Sequence, residues 1–184
     1  MSNVKGSAVT ARLRYVKERH QSTGYIKLLN ALTPAHRNLI EGRILAHAWV
    51  PYDLFIDVNV QCDKLFGKGD LQLCYELGRF AADVNLPTLY RLFYKIGTPM
   101  FILRQASRLW GLHYDSGTME AIDESHGVRL IMRDLARPHR AHCISVLGWA
   151  SKSIELSGAT IVQAEEPRCR RRNDPQCELV LAWR

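Results

Sequence analysis

No run of apolar residues in this chain approaches the roughly 18 that a membrane-spanning helix needs, and Met1 to Thr10 lacks the apolar stretch of a secretory signal. The expected location is therefore the cytoplasm. Also missing are the short signatures of common enzyme classes. There is no G-x-G-x-x-G loop, P-loop, G-x-S-x-G elbow, H-E-x-x-H pair or C-x-x-C-H haem-attachment motif. Ordinary enzymes of those kinds are disfavoured, and the chain reads as non-catalytic. Cysteine is scarce, odd in number and unevenly spaced, at five residues. In a reducing compartment this argues against an all-disulfide framework and leaves metal binding or plain burial.

What is present suits one globular domain. The 184 residues are 47% hydrophobic and 23% charged, enough apolar surface to offset the entropy of the chain. The expected layout is a disordered stretch over residues 1–10 followed by one domain over residues 11–184. Lys and Arg outnumber Asp and Glu by 25 to 18, a net charge of +7 that permits an acidic partner. No nucleic-acid-binding fingerprint accompanies that charge, so a nucleic-acid partner is disfavoured.

Residues 12 to 86 carry apolar positions every three or four residues with breakers between the runs, the pattern of consecutive helices. The clearest run has Asp70 as N-cap and Leu71, Cys74, Leu77, Ala81 and Val84 on one stripe. Cys62 and Cys74 lie on such stripes and read as core. Pro87 opens a further helix, and another runs from about Pro99 to Trp110. Beyond Trp110 the period changes. Val128, Leu130 and Met132 alternate with Arg129, Ile131 and Arg133, as in a half-buried strand. A helix from Pro138 to Gly158 follows, then a strand near Ala159 to Glu166. A last strand sets Cys177, Leu179, Leu181 and Trp183 on one face. The predicted class is α+β, a helical layer packed on a small antiparallel sheet.

The densest chemistry is near the C-terminus, where Glu166 precedes Cys169 by three residues and Cys177 follows after seven more. A hairpin would return Cys177 to the neighbourhood of Cys169, and Cys143, near a helix start, could add a third thiolate. Three sulfurs and a carboxylate describe a closed, structural zinc site with no vacant coordination position. Glu165 could stand in for Glu166, since alternation sends only one of them inward. Such a site carries excess negative charge, and Arg168, Arg170, Arg171 and Arg172 place cations beside it. Spacing alone leaves buried free thiols and a Cys169–Cys177 disulfide open as well. His142, next to Cys143, is a possible substitute ligand. Tyr90, Phe93, Tyr94, Phe101, Trp110 and Tyr114 either pack as core or line a pocket between helices and sheet. Glu76 and Arg79 are expected to pair with each other or with Arg91 and Asp115.

The segment Glu166-x2-Cys169-x7-Cys177, with Cys143 upstream in a helix followed by Gly148-Trp149, resembles the 4-vinyl-reductase domain and the sensory module of phenol-responsive activators. A myxobacterial family of uncharacterised paralogues in that superfamily is closer still. Further matching segments are Trp49-x-Pro51, Phe66-Gly67-x-Gly69-Asp70, Glu76-Leu77-Gly78-Arg79, Tyr90-Arg91, Leu109-Trp110, Tyr114-Asp115-x-Gly117 and Pro138-His139-Arg140-x-His142-Cys143. The resemblance implies a ligand-binding fold shared with trafficking-complex subunits and nitric-oxide-signalling domains, often dimeric. It also implies zinc at Cys143, Glu166, Cys169 and Cys177. A small apolar, aromatic or lipid-like ligand would contact Tyr90, Trp110 and Tyr114, and the response would reach a second copy or a partner protein. A protein-interaction module whose pocket is filled by its own side chains is the alternative.

Overall fold

The computed structural model describes residues 2–85 and 98–184. A short strand β1 (Asn3–Lys5) leads into α1 (Gly6–Ala31), which breaks at Gln21, where φ is 56°. Then follow α2 (Pro34–Glu41), β2 (Trp49–Pro51), α3 (Tyr52–Phe66), α4 (Gln72–Asn85) and α5 (Pro99–Arg108). The second half holds β3 (Thr118–Glu124), β4 (Gly127–Arg133), α6 (Arg140–Leu156), β5 (Ile161–Arg168) and β6 (Cys177–Trp183). The helix expected from Pro87 lies outside the described residues.

The N-terminal residues depart from the expectation of disorder. β1 pairs antiparallel with β2, and Val4 and Val9 are fully buried. Their apolar side chains join the helical core, and Asp115 accepts hydrogen bonds from the Asn3 backbone and side chain at 2.6 and 2.7 Å. This burial and bonding offset the entropy of ordering a chain end.

The start of α4 is held from a distance. Asp70 accepts from the Gln72 N–H at 2.9 Å, but the helix begins at Gln72, one residue later than the expected cap allows, with Leu71 between them at φ 71°. The buried Asp63 does more, accepting from the N–H groups of Leu71 and Leu73 at 2.9 and 3.0 Å. One carboxylate at the end of α3 thus satisfies two donors that the helix leaves without partners. Thr98 caps α5 in the usual way, accepting from Phe101 N–H at 3.3 Å.

α4 and α6 cross at glycines. A Cβ on Gly78 would collide with the Ser145 carbonyl, and one on Gly148 with the Tyr75 carbonyl. Their absence lets two helix backbones touch. The close approach brings Glu155 under Arg79, which donates to both carboxylate oxygens at 2.9 and 2.8 Å. Glu76 is a weaker neighbour at 3.8 Å, and Asp115 is engaged by Ser2 and Asn3 instead. The pairing expected for Arg79 therefore shifts to α6, and Arg91 lies outside the described residues.

The four-stranded sheet is antiparallel throughout, in the order β3-β4-β6-β5. Val128, Leu130 and Met132 face inward as expected, opposite Leu181, Leu179 and Cys177. These side chains form one core with α6, whereas α1, α3 and part of α4 enclose a second. Cys62 and Cys74 are fully buried among the helices, and burial pushes both thiols up to about 12. No described helix is long and apolar enough to cross a membrane.

Candidate functional site

Two constellations of chemistry sit at the start of α6, one toward the sheet and one where the helical and sheet cores meet. The first is the sulfur centre. His139 caps α6, its Nδ1 accepting from Ala141 N–H at 3.1 Å, and Cys143 follows within the first turn. The turn between β5 and β6, closed by Asn173 in the left-handed conformation, returns the chain so that Cys177 meets Cys169. The three sulfurs lie within 4.8 Å of one another, all buried, with Cys143 and Cys169 4.0 Å apart. Donated hydrogen bonds settle the charge. The neighbouring thiols of Cys143 and Cys169, aided by the Arg170 N–H at 3.4 Å, pull Cys177 down to about 3. Cys143 is pushed well above its ordinary value by its hydrogen bonds with Cys169 and Cys177 and by burial.

Glu166 stands beside this centre without joining the close set of donors. Its side chain is 2% exposed, and Oε2 accepts from Arg140 at 2.7 Å. The other oxygen, Oε1, is buried without a partner among the described residues. Burial raises the Glu166 pKa, against the opposing pull of Arg140. Glu165 is exposed, so alternation along β5 turns Glu166 inward. The arginine run has local work: Arg168 bonds Glu178, Arg170 bonds the Leu135 carbonyl, and Arg172 bonds the carbonyls of Glu166 and Pro167.

The second constellation is an aromatic junction between the two cores. Trp110 and Tyr114 stack at 4.3 Å, and Tyr114 packs against both cores. Against them lies His142, fully buried, 4.7 Å from Tyr114, 5.4 Å from Tyr52 and 5.8 Å from Phe55 and Trp110 between ring centroids. Trp110 satisfies its indole N–H on the Ser116 carbonyl at 3.2 Å. By contrast, both His142 nitrogens and the Tyr52 hydroxyl have no partner among the described residues. Burial, helped by the charge of Arg12, lowers the His142 pKa to about 3, so the ring is neutral. Buried polar atoms normally find partners, which makes this the most unusual spot in the interior.

Of the expected pocket residues, Trp110 and Tyr114 meet here, Tyr90, Phe93 and Tyr94 lie outside the described residues, and Phe101 is 45% exposed on α5. His142 sits at this junction rather than in the sulfur set. Sequence reasoning passed over Tyr52, Phe55 and Arg12. Arg12 left one signal: it interrupts the stripe Val9, Leu13, Val16 of α1 and is nevertheless 3% exposed.

No family model and no curated protein matches the chain. Solved structures do. The chain is similar to an H-NOX protein from S. oneidensis in the Fe(II)NO ligation state, with TM-score 0.75 and 11% identity, covering 98% of this chain and 99% of that one. It is similar as well to an Fe(II) unliganded H-NOX protein from K. algicida, at 0.73 and 12%, covering 98% and 96%. A third is an oxygen-binding H-NOX domain related to soluble guanylate cyclases, at 0.61 and 11%, covering 98% and 95%. At such identities the likeness establishes the fold, which is the α+β ligand-binding type expected of nitric-oxide-signalling domains. It corrects the assignment to 4-vinyl-reductase domains, because the neighbours are H-NOX domains. The zinc expected with that assignment falls with it, since these neighbours are iron proteins.

The neighbours carry Fe(II), and a haem, as a group that holds such iron, can be tested against the residues of this chain. His142 is the one buried histidine among the described residues, and residues 86–97 contain none. Four aromatic rings crowd its imidazole, with centroids within 5.8 Å. Two open depressions among the described residues, of about 300 and 340 Å³, lie at the surface, lined by Arg104 and Met119 and by Asp115 and Arg137. These residues do not fit a haem.

Proposed function

We propose that this chain is a non-catalytic domain that senses a small molecule at the junction of Trp110, Tyr114 and His142. The observation carrying this reading is the fully buried imidazole with two unpartnered nitrogens, placed where the helical core meets the sheet core. A ligand that hydrogen-bonds there would touch both cores at once. Its binding energy would then shift one against the other, through differential affinity for two arrangements. The response would leave through the surface of a partner protein or a second copy. Among the structural neighbours, one carries nitric oxide and another is an oxygen complex. The role of small-molecule receptor is carried over here, without their iron.

Native mass spectrometry of the freshly purified chain tests the reading. The expected result is a non-covalent adduct that is lost on denaturation and is absent from His142→Leu. A bare wild-type mass, with tryptophan fluorescence unmoved by a panel of small polar and aromatic compounds, would overturn it.

We also propose that Cys143, Cys169 and Cys177 hold one soft metal cation, with Glu166 as the neighbouring carboxylate. Its support is the convergence of three sulfurs from distant parts of the chain beside an unpartnered carboxylate oxygen. Titration with cadmium(II), followed by the sulfur-to-metal absorption band, should saturate at one equivalent per chain and stabilise the fold. Because metal affinity is drawn from the folded arrangement of ligands, Cys169→Ser should weaken binding by at least tenfold. An unsaturable response, or one equal in the variant, would refute the assignment.

A further inference from the structure

Arg12 is a buried cation without a buried anion. Its guanidinium donates to the Asn59 amide oxygen at 3.3 Å, to the Ala8 carbonyl at 2.9 Å and to the Ser145 hydroxyl, all neutral acceptors. It also lies over the Phe55 ring, 4.9 Å from the centroid. Among the described residues no carboxylate forms an ion pair with it; the acidic groups that act on it are Tyr114, Cys74 and Cys62. Burial holds each of these neutral, at about 12. An isolated charge in a protein interior is costly unless something of opposite sign neutralises it.

The same Phe55 ring gathers the unpartnered polar atoms. His142 stands 5.8 Å from it and Tyr52 6.0 Å, centroid to centroid. A neutral imidazole offers one N–H, and a tyrosine hydroxyl offers one O–H. The fork of Arg12 retains N–H groups beyond the three that are bonded. Around one ring, then, stand a full positive charge and two further donors that nothing else uses. A water molecule would satisfy the donors and leave the charge. A monovalent anion satisfies both.

We propose that the interior where α1, α3 and α6 meet binds a small monovalent anion on Arg12, either a halide or a planar oxyanion of the size of formate. The limit on size follows from the packing, since four aromatic rings crowd His142 beside the site. A guanidinium fork suits a planar oxyanion through two parallel N–H donors, and a halide through the charge alone. The inference rests on the receptor reading for its location and adds the chemical class of the ligand.

The test is the melting midpoint of the full chain against chloride, and separately formate, at ionic strength fixed with gluconate, an anion too large for the site. A saturable rise is expected with at least one of them. A response to chloride alone assigns a monatomic anion, and a response to formate assigns the planar class. Arg12→Lys should weaken the apparent affinity at least tenfold, and Arg12→Met should abolish the saturable component. Should Arg12→Met fail to fold, crystals of the unaltered chain grown in bromide give the answer in its place. An anomalous peak beside Arg12 supports the proposal, and its absence there overturns it. Midpoints indifferent to both anions also overturn it. The receptor reading fails separately: amide hydrogen exchange in α1 and α6 would remain unchanged by neutral and anionic compounds alike.

Discussion

Gly148→Ala is expected to lower the melting midpoint by roughly 4–8 °C, and Gly78→Ala by as much, since each added carbon would collide with a carbonyl of the facing helix. An alanine in a helix interior normally stabilises by about 1 kcal/mol relative to glycine. Here the new Cβ meets the backbone carbonyl of Tyr75, which belongs to a helix and cannot rotate aside. Overpacking of a core costs about 1–3 kcal/mol, and a rigid backbone neighbour places this site at the upper end. Each kcal/mol moves the midpoint of a chain this long by roughly 2–4 °C. Gly111→Ala is the matched control, because nothing lies within 4 Å of its added carbon. Scanning calorimetry decides the matter, and equal midpoints for the two variants would show that the helices are not in backbone contact.

The second large effect is acid sensitivity centred on His142. In the unfolded chain its imidazole takes up a proton near the ordinary value of 6.5, whereas in the fold burial holds the value at about 3. Between those limits the unfolded state binds the extra proton, so stability is complete above pH 6.5 and falls as pH drops toward 3. The loss approaches about 1.4 kcal/mol per pH unit, or roughly 2.7 kcal/mol by pH 4.5. Carboxylates titrate in the same range, so the quantity to measure is the difference from His142→Phe. Urea unfolding from pH 4.5 to pH 7.5 should give the unaltered chain the steeper dependence, by close to one proton. Parallel curves would mean that His142 is already reached by solvent or by a counter-charge.

The layers of this fold were legible in the sequence because periodicity reports which face is buried. The alternation of Val128, Leu130 and Met132 placed β4, and the stripe of Leu71, Cys74 and Leu77 placed α4. Close approach leaves no such trace. Gly78 and Gly148 look like ordinary helix-weakening residues until the partner backbone is seen, and the Arg79–Glu155 pair depends on that approach. The sulfur set was legible because a hairpin of known length returns Cys177 to Cys169. The likeness drawn from that set nevertheless pointed to the wrong family, since a handful of matching residues says little about the rest of a scaffold. His142 was passed over as a ligand at the junction because its environment comes from α3, α6 and the turn after Trp110, which no local pattern connects.

The glycine crossing and the two-pronged bond from Arg79 to Glu155 bind α4 and α6 into a single stiff beam. Sliding of one along the other would have to break both fastenings together, so a rearrangement on ligand binding is expected to leave their separation unchanged. Spin labels on α4 and α6 should therefore keep a fixed separation when a ligand arrives, while a pair spanning α1 and β6 changes its distance.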